Sequence, residues 1–335
     1  MDEDEMNTRR RIVLVLGASA LAAPFASFAQ QPGKVWRIGQ LEYGSRQSLL
    51  DSGRLAALVQ GLREQGYIEG KNFVFEARYA EGDAKRLDAL AVELVQKNVD
   101  LILATGTPAS HAAKKATSTI PIVITAATDP VGDGFALSLA RPGGNLTGLS
   151  SAAEDTVQKL LELTTVVLPK LKRIAVLTET GVTTHPGLFA QARDAGRKTG
   201  KQVVEYGVRT PEDIDAAFAK MAREKIEAVL ILVSGLFFLK RAQIANLGLK
   251  HRIPCMFPSA GYAGADGLMS YGPELNENFR RAGLFVDKIL KGAKPGEIPF
   301  EQPTRYYFQV NRRTAKALGI ELSNEVLTRA DKVVE

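Results

Sequence analysis

From Val35 onward, short apolar runs alternate with stretches whose apolar residues recur every three or four positions. VWRIGQLE reads as a strand, and Gln47 to Gln65 as an amphipathic helix ended by Gly66. NFVFEARYA alternates as a strand, and Ala84 to Lys97 reads as a helix. DLILAT is apolar nearly throughout, the pattern of a strand buried on both faces. Thr107 to Ser118 and IPIVIT supply the next helix and strand. A second series follows, with a helix over Thr156 to Leu168 and strands RIAVLT, QVVEYGV and AVLILV. Its other helices are read at Pro186 to Thr199, Pro211 to Glu224 and Leu236 to His251. IPCMF, GLMSYG, a helix from Glu274 to Lys291 and a strand YYFQVN complete the pattern.

Strands alternating with helices predict an α/β fold whose parallel sheets are covered on both faces. Two such series of similar size predict two lobes, and a chain crossing between lobes needs short, non-helical segments. In SLARPGGNLTGLS, Arg141 and Pro142 stop a helix, while glycine opens backbone angles closed to other residues. Gly143, Gly144 and Asn145 are therefore expected in the first of three hinge segments, with GLMSYG and FEQPTRY as the other two. The expected division places 35–146 and about 272–302 in lobe 1, and 147–271 and about 303–330 in lobe 2. Alanine at Gly143 and Gly144 is expected to weaken lobe closure.

The N-terminus has another pattern. Arg9 to Arg11 precede the apolar run IVLVLGASALAA, and small residues Ser27 and Ala29 follow. This is the layout of a cleavable signal peptide over residues 1–29, cut after Ala29, and it predicts a periplasmic protein. The run is shorter than the roughly 20 residues that span a bilayer. The acidic MDEDE ahead of Met6 points to translation starting there. Adjacent arginines leave twin-arginine export open beside the general route.

Composition removes several function classes. The net charge of +6 is interspersed with acids, and no basic run alternates with aromatics, so no nucleic-acid partner is expected. The single Cys255 lies between Pro254 and Met256, where burial as a small hydrophobe is the default. His111, His185 and His251 are far apart and lack metal-ligand spacing, so no metal is expected. No GxGxxG follows the first strand and no GxSxG occurs, so neither a cofactor nor catalysis is expected.

Ligands of open α/β sheets sit beyond the carboxyl ends of the strands. In the first series those ends are Glu42 to Ser45, Thr105 to Pro108 and Thr125 to Pro130. Ser45 and Thr107 stand at helix starts, where N-capping competes with ligand contact. Gly106 and Thr107 make a candidate carboxylate cradle, because a helix N-terminus offers free amides. Thr125 ends a strand, and Asp129 is either a turn aspartate or a cleft residue. In the second series the candidates are Thr178, Ser234, Tyr262 and Tyr271, the tyrosines offering a ring face and a hydroxyl.

Here a resemblance enters. IPIVITAATDPVGDGFALSLARPGGNLTGLS, GLREQGYIEGKNFVFEARYAEGDAKRL, ELVQKNVDLILATGTPAS and GLMSYGPELNENFRRAG resemble the matching stretches of one ABC-transporter substrate-binding protein family. Its members include tryptophan-, tyrosine- and phenylalanine-binding proteins, and the resemblance covers nearly all the chain after the signal. It implies a type I periplasmic-binding fold, with two Rossmann-like lobes, three hinge segments and a ligand between the lobes. It also implies a small-molecule ligand, an amino acid or other small carboxylate, and an inner-membrane ABC permease as partner. A monomer is expected, and a ligand-sensing module for a membrane receptor is the alternative. The lipidated cysteine of Gram-positive members is missing, which suggests a soluble periplasmic form.

Overall fold

The strands form where the sequence is apolar on alternate or on all positions. β1 (Trp36–Glu42), β2 (Phe73–Tyr79), β3 (Leu101–Ala104), β4 (Ile122–Ala127) and β5 (Leu146–Ser150) make one parallel sheet, ordered β2-β1-β3-β4-β5. Helices α1 (Arg46–Asp51), α2 (Arg54–Glu64), α3 (Leu87–Gln96) and α4 (Gly106–Ala116) connect its strands. Both faces are apolar: Ile102, Ala104, Ile122 and Ile124 point into one core layer, and Leu101, Leu103 and Val123 into the other. A two-residue period with both phases apolar is the signature of a doubly covered strand. These coordinates are a computed structural model that describes residues 34–260, 262 and 266–335. The expected signal peptide, its cut after Ala29 and the choice of start at Met6 lie outside the described residues.

The second sheet contains β6 (Arg173–Glu179), β7 (Gln202–Val208), β8 (Ala228–Ile231), β9 (Cys255–Phe257), β10 (Met269–Gly272), β11 (Tyr307–Asn311) and β12 (Lys332–Val334). Its order is β12-β11-β10-β9-β8-β6-β7, and only β10 and β11 pair antiparallel. Helices α5 (Ala153–Val167), α6 (His185–Lys198), α7 (Pro211–Arg223), α8 (Gly235–Leu239) and α9 (Arg241–His251) precede the return of the chain to the first lobe. That return is α10 (Leu275–Leu290), after which α11 (Arg312–Leu318) and α12 (Asn324–Arg329) complete the second lobe. Again the strands feed two layers, Ile174, Val176 and Leu230 on one side, Ala175, Leu177 and Val229 on the other.

The returning helix is held by a backbone contact. A Cβ on Gly61 of α2 would lie 1.8 Å from the Arg280 carbonyl oxygen, and one on Gly283 of α10 would lie 2.3 Å from the Gly61 carbonyl carbon. Glycine at both places lets two helix backbones touch, so any side chain there would pry α10 off the lobe it completes.

The chain passes between sheets three times: after β5, after β10, and between the Glu301 bridge to Leu149 and the start of β11. This corrects the expected first hinge. Leu146–Ser150 is a fifth strand of the first sheet, paired with β4, so the first passage follows Ser150. Ala152, with a left-handed φ of 47°, makes that turn. Gly143, Gly144 and Asn145 lie at the opposite end of β5, away from the strand ends that face the second lobe. There the Gly143 N–H donates to the Gly296 carbonyl at 3.1 Å, and the Asn145 amide donates to Ile120 O at 2.8 Å. Gly143 itself has a left-handed φ of 77°, and the close approach falls on Gly296, where a Cβ would meet the Gly144 backbone nitrogen at 2.7 Å. The lobe 1 boundary moves accordingly from 146 to 150.

Two expected helices are each divided. The stretch over Gln47 to Gln65 breaks at Ser52 and Gly53, where Gly53 has φ of 74° and starts α2. The stretch over Leu236 to His251 breaks at Lys240, between α8 and α9. Apolar spacing continues across both breaks, so periodicity alone reads through them.

Candidate functional site

A cavity opens between the carboxyl ends of β1, β3 and β4 in lobe 1 and of β6 and β8 in lobe 2. The centres of water-sized spheres fill 70 Å³ of it. One water needs only about 10–15 Å³ on that measure, so several waters or one compact organic molecule fit. Lobe 1 contributes Glu42, Tyr43, Arg54, Thr105, Gly106 and Thr107 among others. Lobe 2 contributes Val182, Val233, Ser234, Phe238, Leu239 and Tyr262.

Each polar group is placed by its element. Glu42 is the last residue of β1 and only 5% exposed, with Oε1 accepting the Gly44 N–H at 3.1 Å. Oε2 has no hydrogen-bond partner. Burial raises its pKa, against the Gly44 hydrogen bond and the Arg54 charge. Arg54 opens α2 directly after the Gly53 break, so the break itself aims its side chain at the cleft. Its guanidinium carbon stands 3.5 Å over the Phe238 ring of lobe 2 and 5.3 Å from Phe279 of lobe 1. Burial lowers the Arg54 pKa, opposed by Tyr262 and Glu42.

The lobes touch elsewhere across the cleft. A Cβ on Gly235 would lie 2.6 Å from the Tyr43 ring, so α8 of lobe 2 packs its first turn on that tyrosine. Thr183 of lobe 2 donates to Asp133 of lobe 1. Asp133 also accepts from Thr107 Oγ1 at 3.1 Å, and His111 Nε2 lies 3.8 Å away. Burial acts to raise the Asp133 carboxyl, but the nearby His111 and the hydrogen bonds from Thr183 and Thr107 outweigh it and hold it below the usual carboxylate range.

Behind the lobe 2 wall sits His185, 1% exposed. Nδ1 accepts the Glu179 N–H at 2.8 Å, which leaves the proton on Nε2, donated to Val233 O at 3.1 Å. Burial pushes its pKa down to about 4. The ring therefore ties the loop after β6 to the loop after β8, and its work is structural. Glu179 is likewise raised by burial, partly offset by a Ser234 hydrogen bond.

Of the residues singled out in the sequence, Gly106, Thr107, Ser234 and Tyr262 line the cavity. Tyr262 is clamped between Phe257, stacked at 5.1 Å, and Phe238, edge-on at 5.4 Å. The others are engaged elsewhere. Ser45 closes a capping box with Ser48. Thr125 Oγ1 donates to Thr105 at 3.4 Å, and Thr178 Oγ1 donates to Glu205 at 2.9 Å. Asp129 closes a turn by accepting the Gly132 N–H at 2.8 Å, and Tyr271 stacks on Tyr306 at 5.8 Å. Arg54, Phe238, Asp133 and Thr183 carry no local sequence signal for a site. They meet only because the lobes do.

Residues 50–334 match the model of the ABC transporter substrate binding protein family. The chain belongs to that family. A tyrosine-binding protein of Clostridioides difficile is 28% identical over 263 residues, 78% of this chain and 75% of that protein. A Streptococcus pneumoniae ABC domain in complex with L-Trp superposes with a TM-score of 0.83 at 24% identity, covering 90% of this chain and all of that one (100%). A ligand-free, open substrate-binding protein with adhesive properties from Clostridium difficile superposes at 0.65 with 26% identity, over 90% of this chain and 99% of that one. The fold is that of type I periplasmic binding proteins, two lobes with parallel-dominated sheets. Family members are solute-binding proteins, not enzymes. Among the described residues no helix is long and apolar enough to cross a membrane.

Proposed function

We propose that this substrate-binding protein captures a compact amino acid between its lobes by hinge closure and delivers it to an importing ABC permease in the inner membrane. It works in the periplasm, reached through cleavage of its signal segment after Ala29, and as a monomer. The observation that carries this reading is the cavity itself, walled by both lobes at their strand ends and containing Glu42 and Arg54 in an otherwise uncharged lining. Such a site is complete only when the lobes approach, so a ligand bound there favours the closed arrangement by contacts absent from the open one. Greater similarity to the L-Trp complex than to the ligand-free, open relative agrees with a closed arrangement.

The test is a thermal-shift screen of protein unfolded and refolded to strip carried-over ligand, against amino acids, aromatic carboxylates, sugars and nucleosides. A ligand at about 100 times its Kd adds about 2.7 kcal/mol and raises Tm by several degrees. A shift confined to amino acids is the expected result. Silence across all four classes from a cooperatively folding protein would overturn the reading.

A further inference from the structure

Two side chains of opposite charge line the cavity, and neither completes its bonding inside the described residues. Glu42 leaves Oε2 unpaired although it is shielded from water. Arg54 shows ring contacts to Phe238 and Phe279 but no hydrogen bond or ion pair among the described residues. The two do not pair with each other, because no Glu42–Arg54 contact falls within 4.0 Å. A shielded carboxylate oxygen without a donor and a guanidinium without an acceptor are both costly. Each is satisfied by a ligand that brings the missing partner.

Two hydroxyls of the site are already engaged. The Thr107 hydroxyl donates to Asp133 at 3.1 Å and lies 3.3 Å from the Thr128 hydroxyl, and the Ser234 hydroxyl caps α8 by accepting the Phe237 N–H at 3.0 Å. The charged groups that remain are one acceptor, Glu42, and one cation, Arg54, beside the Thr105 hydroxyl and a wall of Phe238, Leu275 and the rings of Tyr43 and Tyr262. We infer that Glu42 and Arg54 are the specificity residues of the site: Glu42 Oε2 receives the ligand's ammonium, Arg54 receives its carboxylate, and the site selects an apolar α-amino acid over the corresponding amine or acid. This inference rests on the solute-binding reading above and adds to it which residues read which end. Burial raises the Glu42 pKa against the Gly44 N–H and the Arg54 charge, and a ligand ammonium placed at Oε2 favours the ionised form further.

The experiment titrates purified protein with L-tyrosine, L-tryptophan, L-phenylalanine and L-leucine, with the decarboxylated amine and the deaminated acid of each, and with ribose and adenosine. Wild type binds one amino acid at least about tenfold tighter than its amine or its acid, as charge-assisted hydrogen bonds require. Glu42→Gln loses at least about tenfold for the amino acid and the amine and leaves the acid unchanged. Arg54→Gln loses a similar factor for the amino acid and the acid and spares the amine. A melting curve accompanies each variant, and Glu42→Asp, which keeps the charge, replaces Glu42→Gln should that variant not fold. It is expected to lose amino-acid affinity while keeping the order amino acid over acid. Wild type preferring an acid, an amine, ribose or adenosine overturns the anchor assignment and leaves solute binding intact. Equal losses for all three ends in both variants also overturn it, since they would show a role in shape alone. No binding to any compound counts against solute binding and takes the anchors with it.

Discussion

The two lobes meet the same cavity with different chemistry. Every charged side chain lining it comes from lobe 1, Glu42 and Arg54, whereas lobe 2 offers apolar groups and the hydroxyls of Ser234 and Tyr262. Both lobes follow the same βαβ logic, so topology does not explain the difference. Local breaks do. In lobe 1 the Gly53 interruption turns the start of α2 into the cleft with Arg54 at its tip, and β1 ends on a glutamate. In lobe 2 the residues after β8 are Leu232, Val233 and Ser234, then a short helix whose Phe238 reaches over Arg54. One lobe reads charge and the other excludes water, and exclusion is what makes the charges discriminate, because electrostatic contacts strengthen as solvent leaves.

The strongest way to break this division is to loosen the apolar cover without touching any charge. His185→Leu removes the ring that joins the loops after β6 and β8, leaving the Glu179 N–H and the Val233 carbonyl unpaired. The expected cost is about 2–4 kcal/mol in unfolding free energy at pH 7.5, with weaker binding. The pH dependence identifies the cause. His185 has a folded-state pKa near 4 against 6.5, so the fold prefers the neutral ring. Its contribution is complete above pH 6.5 and is lost as pH falls toward 4, a swing of roughly 3 kcal/mol. Urea unfolding at pH 7.5 and 4.5 should therefore show wild type and His185→Leu converging in acid. A gap of constant size would mean that the ring is held by packing rather than by its neutral hydrogen bonds.

A smaller effect tests whether the lobes cooperate. Thr183→Val deletes the cross-cleft donor to Asp133 but leaves the Thr107 donor, so no carboxylate is stranded. The expected loss is about 1 kcal/mol, near fivefold in Kd, with Tm little changed. Isothermal titration checks it. Unchanged affinity would show that this bond forms whether or not ligand is held, and would leave the Arg54–Phe238 contact as the principal cross-cleft coupling.

How much of this was legible in the sequence depends on where each signal resides. Strand positions and the double covering follow from apolar runs such as LILA, because both phases of the two-residue period are apolar, whereas the strand order comes only from the structure. Gly106, Thr107, Ser234 and Tyr262 were legible as strand-end residues. Thr125 and Thr178 occupy equivalent sequence positions, yet each is buried and bonded within its own lobe, to Thr105 and Glu205. Strand-end position fixes location but not side-chain direction. Arg54 and Phe238 were illegible because each is selected by a helix break and by the opposite lobe, and neither leaves a local pattern. The hinge was placed at Gly143 to Asn145 because Arg141, Pro142 and two glycines mark a break there, but that break precedes the strand LTGLS and the passage between lobes follows it. Gly148 is there for another reason: a Cβ would lie 2.1 Å from the Ile124 carbonyl oxygen of β4. Gly272 shows the same crowding at the second passage, with a Cβ 2.0 Å from Pro258 O. The last glycine before each of these passages serves close strand approach.

That distinction yields the smallest expected effect. Gly144 has no positive φ, and a Cβ there meets nothing within 4 Å, so Gly144→Ala should leave Tm and affinity unchanged. Gly143 differs, with φ of 77° and a Cβ position 2.6 Å from the tip of Leu137, a side chain 83% exposed and free to move. Gly143→Ala should cost about 1 kcal/mol of stability from its left-handed backbone. Because the loop bonds to Gly296 within the first lobe, that cost falls on folding and not on closure. Small-angle scattering with and without ligand should give the same compaction for both variants and wild type. A lost compaction in Gly143→Ala would return this loop to the hinge and would mean that strain at the far end of β5 reaches the passage at Ala152.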